Sequence, residues 1–301
     1  MIRTARLTAP TPLDWEQMIG FLSPRAIPGV EEADESAYRR LVTDGRGASL
    51  IEVRPAPGFR DLLMRVHHGC EGECDLDRGD LVRRARRLFG LDADQPRIAR
   101  ALGRDPILGL LVRRRPGLRL AGSWSPFESA VRALLGQQVS VKGATTLAGR
   151  LVERLGEPLP REAGVAGGWR SGRGFSFPPP ERIAQSRLEG IGMPEARVDA
   201  LRGLARAVAS GTIRLDPLVP TEATPERLEE ITTALRGLRG IGPWTANYLA
   251  MRVFRHPDAF PAGDLGLLKA TGLKAAALER HAERWRPHRA WAAMWLWSGL
   301  D

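Results

Sequence analysis

The chain has little cysteine, little lysine and no long apolar run. Its 301 residues include two cysteines, Cys70 and Cys74, too few for a disulfide framework or for the four thiolates of an iron–sulfur cluster. Both lie in HHGCEGEC beside His67 and His68. That spacing matches no usual zinc pattern and no second ligand pair exists elsewhere, so no metal centre is expected from these residues. The longest apolar stretch, residues 290–297, falls well short of the roughly 20 residues that a membrane span requires. The N-terminus, MIRTARLTAPTPLDW, has no apolar core of the secretory type. No internal repeat is present. A cytoplasmic protein is expected, and a monomer is the simplest form.

Hydrophobic residues make up 43% and charged residues 27%, an ordinary globular composition. The formal net charge is +10, carried almost wholly by arginine, since Lys142, Lys269 and Lys274 are the only lysines. Such a balance suits a nucleic-acid partner. A GC-rich genome also enriches arginine, alanine and glycine, so charge alone leaves the partner open.

IRTARLTA, ASLIEVRP and DLLMRVHH are short β-rich stretches, the last two separated by the turn-prone PAPGF, and suggest a small antiparallel sheet. DWEQMIGFL reads as a helix laid on it, with Asp14 as N-cap. From DLVRRARRLFGL onward the chain turns to helices joined by Gly/Pro turns. Ser125, Pro126 and Glu128 form a capping-box pattern ahead of a helix whose Phe127, Val131, Leu134 and Leu135 share one face. The Gly/Arg/Pro-rich segment 161–180 reads as a mobile surface excursion. The expected class is α+β, with an N-terminal mixed domain over 1–90 and a mostly helical domain over 91–301.

Thr224 and Pro225 cap a helix with Leu228, Ile231, Leu235 and Leu238 at helical spacing. It ends at RGIG, and Pro243 opens another. Gly240 and Gly242 permit positive φ in the turn between. Unpaired amides at the second helix's N-terminus then form an anion site suited to a phosphate. An ordinary helical corner would also use these glycines. Trp244 and Tyr248, one turn apart, share a face. Asp264, in PAGDLGLL, is placed to cap the next helix.

The run LRGLRGIGPWTANYLAMR, followed by FPAGDLGLLK, resembles the helix–hairpin–helix base-excision DNA glycosylases, and among them the alkylbase branch of 3-methyladenine DNA glycosylase II. LDWEQMIGFLSPRAI, PGLRLAG, FESAVRALLGQQVSV and AERWRP extend the similarity over nearly the whole chain. The resemblance implies a TBP-like N-terminal sheet domain, then two helical lobes flanking an active-site cleft, with the hairpin at 235–252 and the catalytic segment at 260–270. It implies that Asp264 is the catalytic acid. Trp244, Tyr248, Phe21 and Trp297 match the base-pocket aromatics, although Phe21 and Trp297 also suit core packing. Gly240, Gly242, Thr245 and Arg239 match the DNA-backbone contacts. Arg239 stands where relatives usually have proline.

Gln138 takes the place of an apolar wedge that fills the gap left by a flipped base. The carbonyls of Arg236, Leu238 and Ile241 match a site for sodium or potassium. No cofactor is implied for the reaction. Bifunctional relatives carry a lysine at the position of Trp244, and that lysine attacks the sugar. The tryptophan therefore implies a monofunctional enzyme acting on damaged double-stranded DNA and leaving an abasic site. Lys269, five residues past Asp264, reads as a surface or phosphate contact. A glycosylase for deaminated or oxidised bases, or a non-catalytic hairpin protein, remains as an alternative. A fusion to an alkyl-transfer regulator is not expected, for want of space ahead of the sheet and of further cysteines.

Overall fold

A computed structural model describes residues 2–43, 48–58, 60–68, 77–159, 169–170 and 172–300. Five antiparallel strands, β1 (Ile2–Thr8), β2 (Glu31–Asp34), β3 (Ala37–Thr43), β4 (Ala48–Pro55) and β5 (Asp61–His68), make one sheet in the order β1-β5-β4-β3-β2. Helix α1 (Trp15–Leu22) follows β1, and α2 (Arg78–Leu88) follows β5. Asp14 caps α1 as expected, accepting the Gln17 amide at 3.0 Å. Trp15, Met18 and Ile19 of α1, with Leu81, Ala85 and Leu88 of α2, close over one sheet face on Leu7, Tyr38, Val53 and Met64.

Strands β2 and β3 are absent from the sequence expectation. Their runs, EEAD and AYRRLVT, carry charge at positions that turn out to be buried. Arg39 is 2% exposed and Arg40 4%. Arg40 donates to Glu128 through both terminal nitrogens, with Nη1 to Oε1 at 3.0 Å. Burial opposes the Arg40 charge, but Glu128, Tyr38 and Glu31 outweigh it and hold the guanidinium protonated. Only half of the expected capping box forms in consequence. Ser125 accepts the Glu128 amide at 3.4 Å, while the Glu128 carboxylate turns away to Arg40.

The helical part is α3 (Gln95–Leu102), α4 (Gly109–Arg114), α5 (Pro126–Leu135), α6 (Val141–Leu155), α7 (Pro180–Gln185), α8 (Glu195–Ala209), α9 (Pro225–Arg236), α10 (Pro243–Arg252), α11 (Leu265–Thr271), α12 (Ala275–Ala282) and α13 (Arg289–Ser298). Helices α5, α6, α8 and α10 pack as one group, and α4, α11, α12 and α13 as another. One apolar core runs through both. The chain also returns to the sheet unit beyond residue 90. Asp14 donates its amide to Gly117 at 3.1 Å, Gly122 donates to Leu88 at 3.0 Å, and Arg119 bonds Thr11.

Segment 161–180 departs from the expected surface excursion where it is described. Trp169 packs with Leu41 and Leu50 on the second sheet face. Phe175 donates its amide to Gly29 at 2.8 Å, and Phe177 meets Phe127 edge-on at 6.4 Å. Glycine and proline dominate the segment's composition and conceal these three aromatic anchors.

In the hairpin turn the two glycines differ. Gly240 has φ +83°, and a Cβ there would stand 2.5 Å from the Ala200 Cβ on α8. Gly242 has φ −83° with open space around it, so the expectation of positive φ holds only for Gly240.

Two stability outcomes follow. Glu128→Ala leaves Arg40 buried with Glu31, at 3.5 Å, as its remaining carboxylate and should cost up to about 3–5 kcal/mol, seen as a lower urea midpoint. A loss within about 0.5 kcal/mol would show that the pair does not tie sheet to helices. Gly240→Ala should lose about 1–3 kcal/mol through strain and overpacking, and Gly242→Ala under about 1 kcal/mol. Equal losses in the same assay would contradict the assigned turn geometry.

Candidate active site

Asp264 precedes α11 with extended backbone, and its Oδ1 accepts the Leu267 amide at 3.1 Å. That is the N-cap expected of an aspartate at this position. Two indoles also donate to the same carboxylate. Trp297 Nε1 reaches Oδ1 at 2.8 Å and Trp244 Nε1 reaches Oδ2 at 2.9 Å. Hydrogen bonds to a charged group contribute about 1.5–3 kcal/mol each, enough to hold one orientation. Gly266 leaves room for this, since a Cβ there would lie 3.0 Å from Asp264 Oδ1 and 3.1 Å from Trp297 Cδ1.

Trp244 and Tyr248 stack at 5.3 Å with 16° between planes, and Tyr248 meets Trp297 at 6.4 Å. Helix α10 and helix α13 thus bring three half-buried rings around one carboxylate. They line a cavity of about 500 Å³ whose other walls come from α1, α5 and residues 122–124.

Phe21 also lines the cavity, with two guanidinium groups beside its ring. The guanidinium of Arg25 lies 4.0 Å from its ring centroid and that of Arg252 lies 4.3 Å away. Each contact adds about 0.5–2 kcal/mol. Arg252 also donates Nη2 to the Gly122 carbonyl at 3.2 Å, and burial pulls its pKa down to about 10.

Sequence reasoning missed Arg25 and Arg252, although spacing marked both. Arg25 follows Phe21 by one turn, and Arg252 continues the ladder of Trp244 and Tyr248 on α10.

On the hairpin, α10 starts without a side-chain cap, which leaves its first-turn amides turned outward. The Arg239 side chain is 79% exposed, with Asp199 4.0 Å away. Thr245 is buried, and its hydroxyl accepts the Gln137 amide at 2.9 Å. Gln138 is exposed with φ +58°, a left-handed conformation costing a non-glycine residue about 1–2 kcal/mol. Lys269 is exposed, and none of the three lysines lines the cavity.

Among the described residues no group of three His, Cys, Asp or Glu is arranged to hold a metal ion. Cys70 and Cys74 lie outside those residues, as does the His68 side chain. His67 is buried 4.0 Å from Glu52, with its pKa lowered by burial. No helix among the described residues is long and apolar enough to cross a membrane.

Comparison with known proteins identifies the family. The profile of the AlkA N-terminal domain matches residues 4–125. The chain is 37% identical, over 98% of its length, to a probable bifunctional transcriptional activator/DNA repair enzyme AlkA of Mycobacterium tuberculosis, and spans 57% of that protein. It is 34% identical to DNA-3-methyladenine glycosylase 2 of Escherichia coli, covering 95% of this chain and 94% of that protein. Among solved structures, a 3-methyladenine DNA-glycosylase from Archaeoglobus fulgidus shares the fold with a TM-score of 0.78 at 22% identity, covering 98% of this chain and 97% of that one. With identities above 30% over nearly its full length, the chain belongs to the AlkA family of 3-methyladenine DNA glycosylases.

Proposed function

We propose that the protein removes alkylated bases of the 3-methyladenine type from double-stranded DNA by hydrolysing the N-glycosidic bond, leaving an abasic site. The observation that carries this is a carboxylate fixed in the wall of an aromatic cavity by two indole N–H groups.

Cleavage of an N-glycosidic bond builds positive charge on the sugar in an oxocarbenium-like transition state. A fixed carboxylate stabilises that charge without reorganising. A carboxylate has about four acceptor positions. Two on Oδ1 go to Leu267 and Trp297, and one on Oδ2 goes to Trp244. The remaining position on Oδ2 is free to face the sugar or the attacking water. An N-alkylated purine carries positive charge, leaves readily, and is attracted to the aromatic wall of Trp244, Tyr248 and Trp297. No lysine lines the cavity, so water rather than an amine takes the sugar.

The target nucleotide must leave the stack to reach Asp264, at a cost of a few kcal/mol that falls at a damaged pair. The uncapped amides of α10, with Gly240 and Gly242 leaving no side chain in the way, hold a phosphate, and Arg239 adds charge at the same turn. Gln138 enters the gap and offers hydrogen bonds to the orphaned base.

We also propose that the carbonyls of Arg236, Leu238 and Ile241 take a sodium or potassium ion. Arg236 ends α9, where the last carbonyls lack intrahelical partners and the dipole favours a cation. The Leu238 carbonyl takes the Ile241 amide at 3.1 Å and keeps a second lone pair. A bound ion would add positive charge beside the phosphate.

Asp264→Asn tests the assignment. Asparagine still caps α11, but its amide NH₂ opposes an indole donor and its negative charge is gone. Base release from methylated duplex should slow by on the order of 10²–10³, with duplex affinity within about threefold of the wild type. Release near the wild-type rate would remove Asp264 from the chemistry.

A further inference from the structure

The turn carrying Gln138 and the hairpin turn belong to different helix pairs, α5–α6 and α9–α10, yet one side chain joins them. Gln137 Nε2 donates to the Gly240 carbonyl at 2.9 Å and to the Thr245 hydroxyl at 2.9 Å. Both of its amide hydrogens are thereby used. Gly240 presents a carbonyl that only accepts, which fixes the end of the amide facing it.

Helix α8 lies beneath both turns. Arg197 Nη1 donates to the Gln137 backbone carbonyl. One turn further along, Ala200 is the residue against which Gly240 packs too closely to allow a Cβ. Arg197 therefore steadies the Gln138 turn and Ala200 the hairpin turn, from one helix face. Gln138 itself is exposed in a left-handed conformation that its own side chain does not favour. Something beside it must hold it there, and the residue immediately before it is bonded to the hairpin.

We propose that Gln137 is a positioning residue that couples the phosphate grip of the hairpin to the insertion of Gln138. The proposal rests on the glycosylase reading above. The two acceptors of Gln137, Gly240 and Thr245, flank the amides that face the DNA backbone. Shifting the hairpin against α5 would break both bonds at once. With them in place, the height at which the phosphate is held also sets the height at which Gln138 meets the base stack. Grip and insertion then become one event.

Two variants test this. Gln137→Glu keeps the shape but sets a carboxylate against the Gly240 carbonyl, and Gln137→Ala removes the link without adding charge. Single-turnover release is measured from a duplex with the methylated base paired, and from a strand in which the same base is unpaired and needs no flipping. The thermal midpoint and duplex affinity of each variant are recorded alongside. Release from the paired lesion should fall about tenfold or more, as misplaced reacting groups do. Release from the unpaired lesion should stay within about threefold of the wild type, because the flipping step is absent. Equal losses on both substrates would mark Gln137 as a general structural residue and overturn the proposal. So would wild-type behaviour on both, with the wild-type protein active. A wild-type protein that releases no base from either substrate would instead overturn the glycosylase reading.

Discussion

The site depends on one constraint, the fixing of the Asp264 carboxylate by Trp244, Trp297 and the Leu267 amide. Each donor comes from a different helix, so the carboxylate is oriented only when α10, α11 and α13 are packed together. The indoles also form the cavity wall, with Tyr248 stacked on Trp244. Their N–H edges serve the acid while the ring system shapes the space for a base. A single substitution in either tryptophan therefore alters both orientation and cavity, and its effects on rate and binding should not separate cleanly.

The cavity is a joint product of the sheet unit and the helices. Helix α1 supplies Phe21 from the N-terminal side, and Arg252 reaches it from the C-terminal end of α10. The Arg40–Glu128 pair fixes the sheet to α5 close by, both residues lining the same cavity. A buried ion pair is a weak source of net stability, but losing one partner leaves an uncompensated buried charge and is strongly destabilising.

Much of this was legible in the sequence, and the failures share a cause. Asp14, Ser125, Thr224 and Asp264 all cap helices at the positions their residue types signalled, because a cap is a local interaction that neighbouring residues determine. The hairpin and its aromatic spacing were legible for the same reason. What escaped were long-range compensations. Strands β2 and β3 were hidden because Arg39 and Arg40 are buried, Arg40 through a partner distant in sequence. Glu128 looked like half a capping box because Arg40, its actual partner, lies 88 positions earlier. Phe21 was legible as a cavity residue, but its cationic neighbours Arg25 and Arg252 were not. The bond from Gln137 to the Thr245 hydroxyl was not legible either. Periodicity shows which face a residue occupies; it does not show which distant charge or amide meets it there.

The central proposal is that the indole-held Asp264 directs hydrolysis of a flipped, alkylated nucleotide without covalent attachment. The most direct measurement incubates the wild-type protein with methylated duplex DNA, identifies the released bases by chromatography, and examines the strand before and after alkali. Free 3-methyladenine, a strand cut only on alkaline treatment, and no borohydride-trapped adduct are the expected result. No released base, or a strand cut without alkali through an adduct trapped on a lysine such as Lys269, would contradict it.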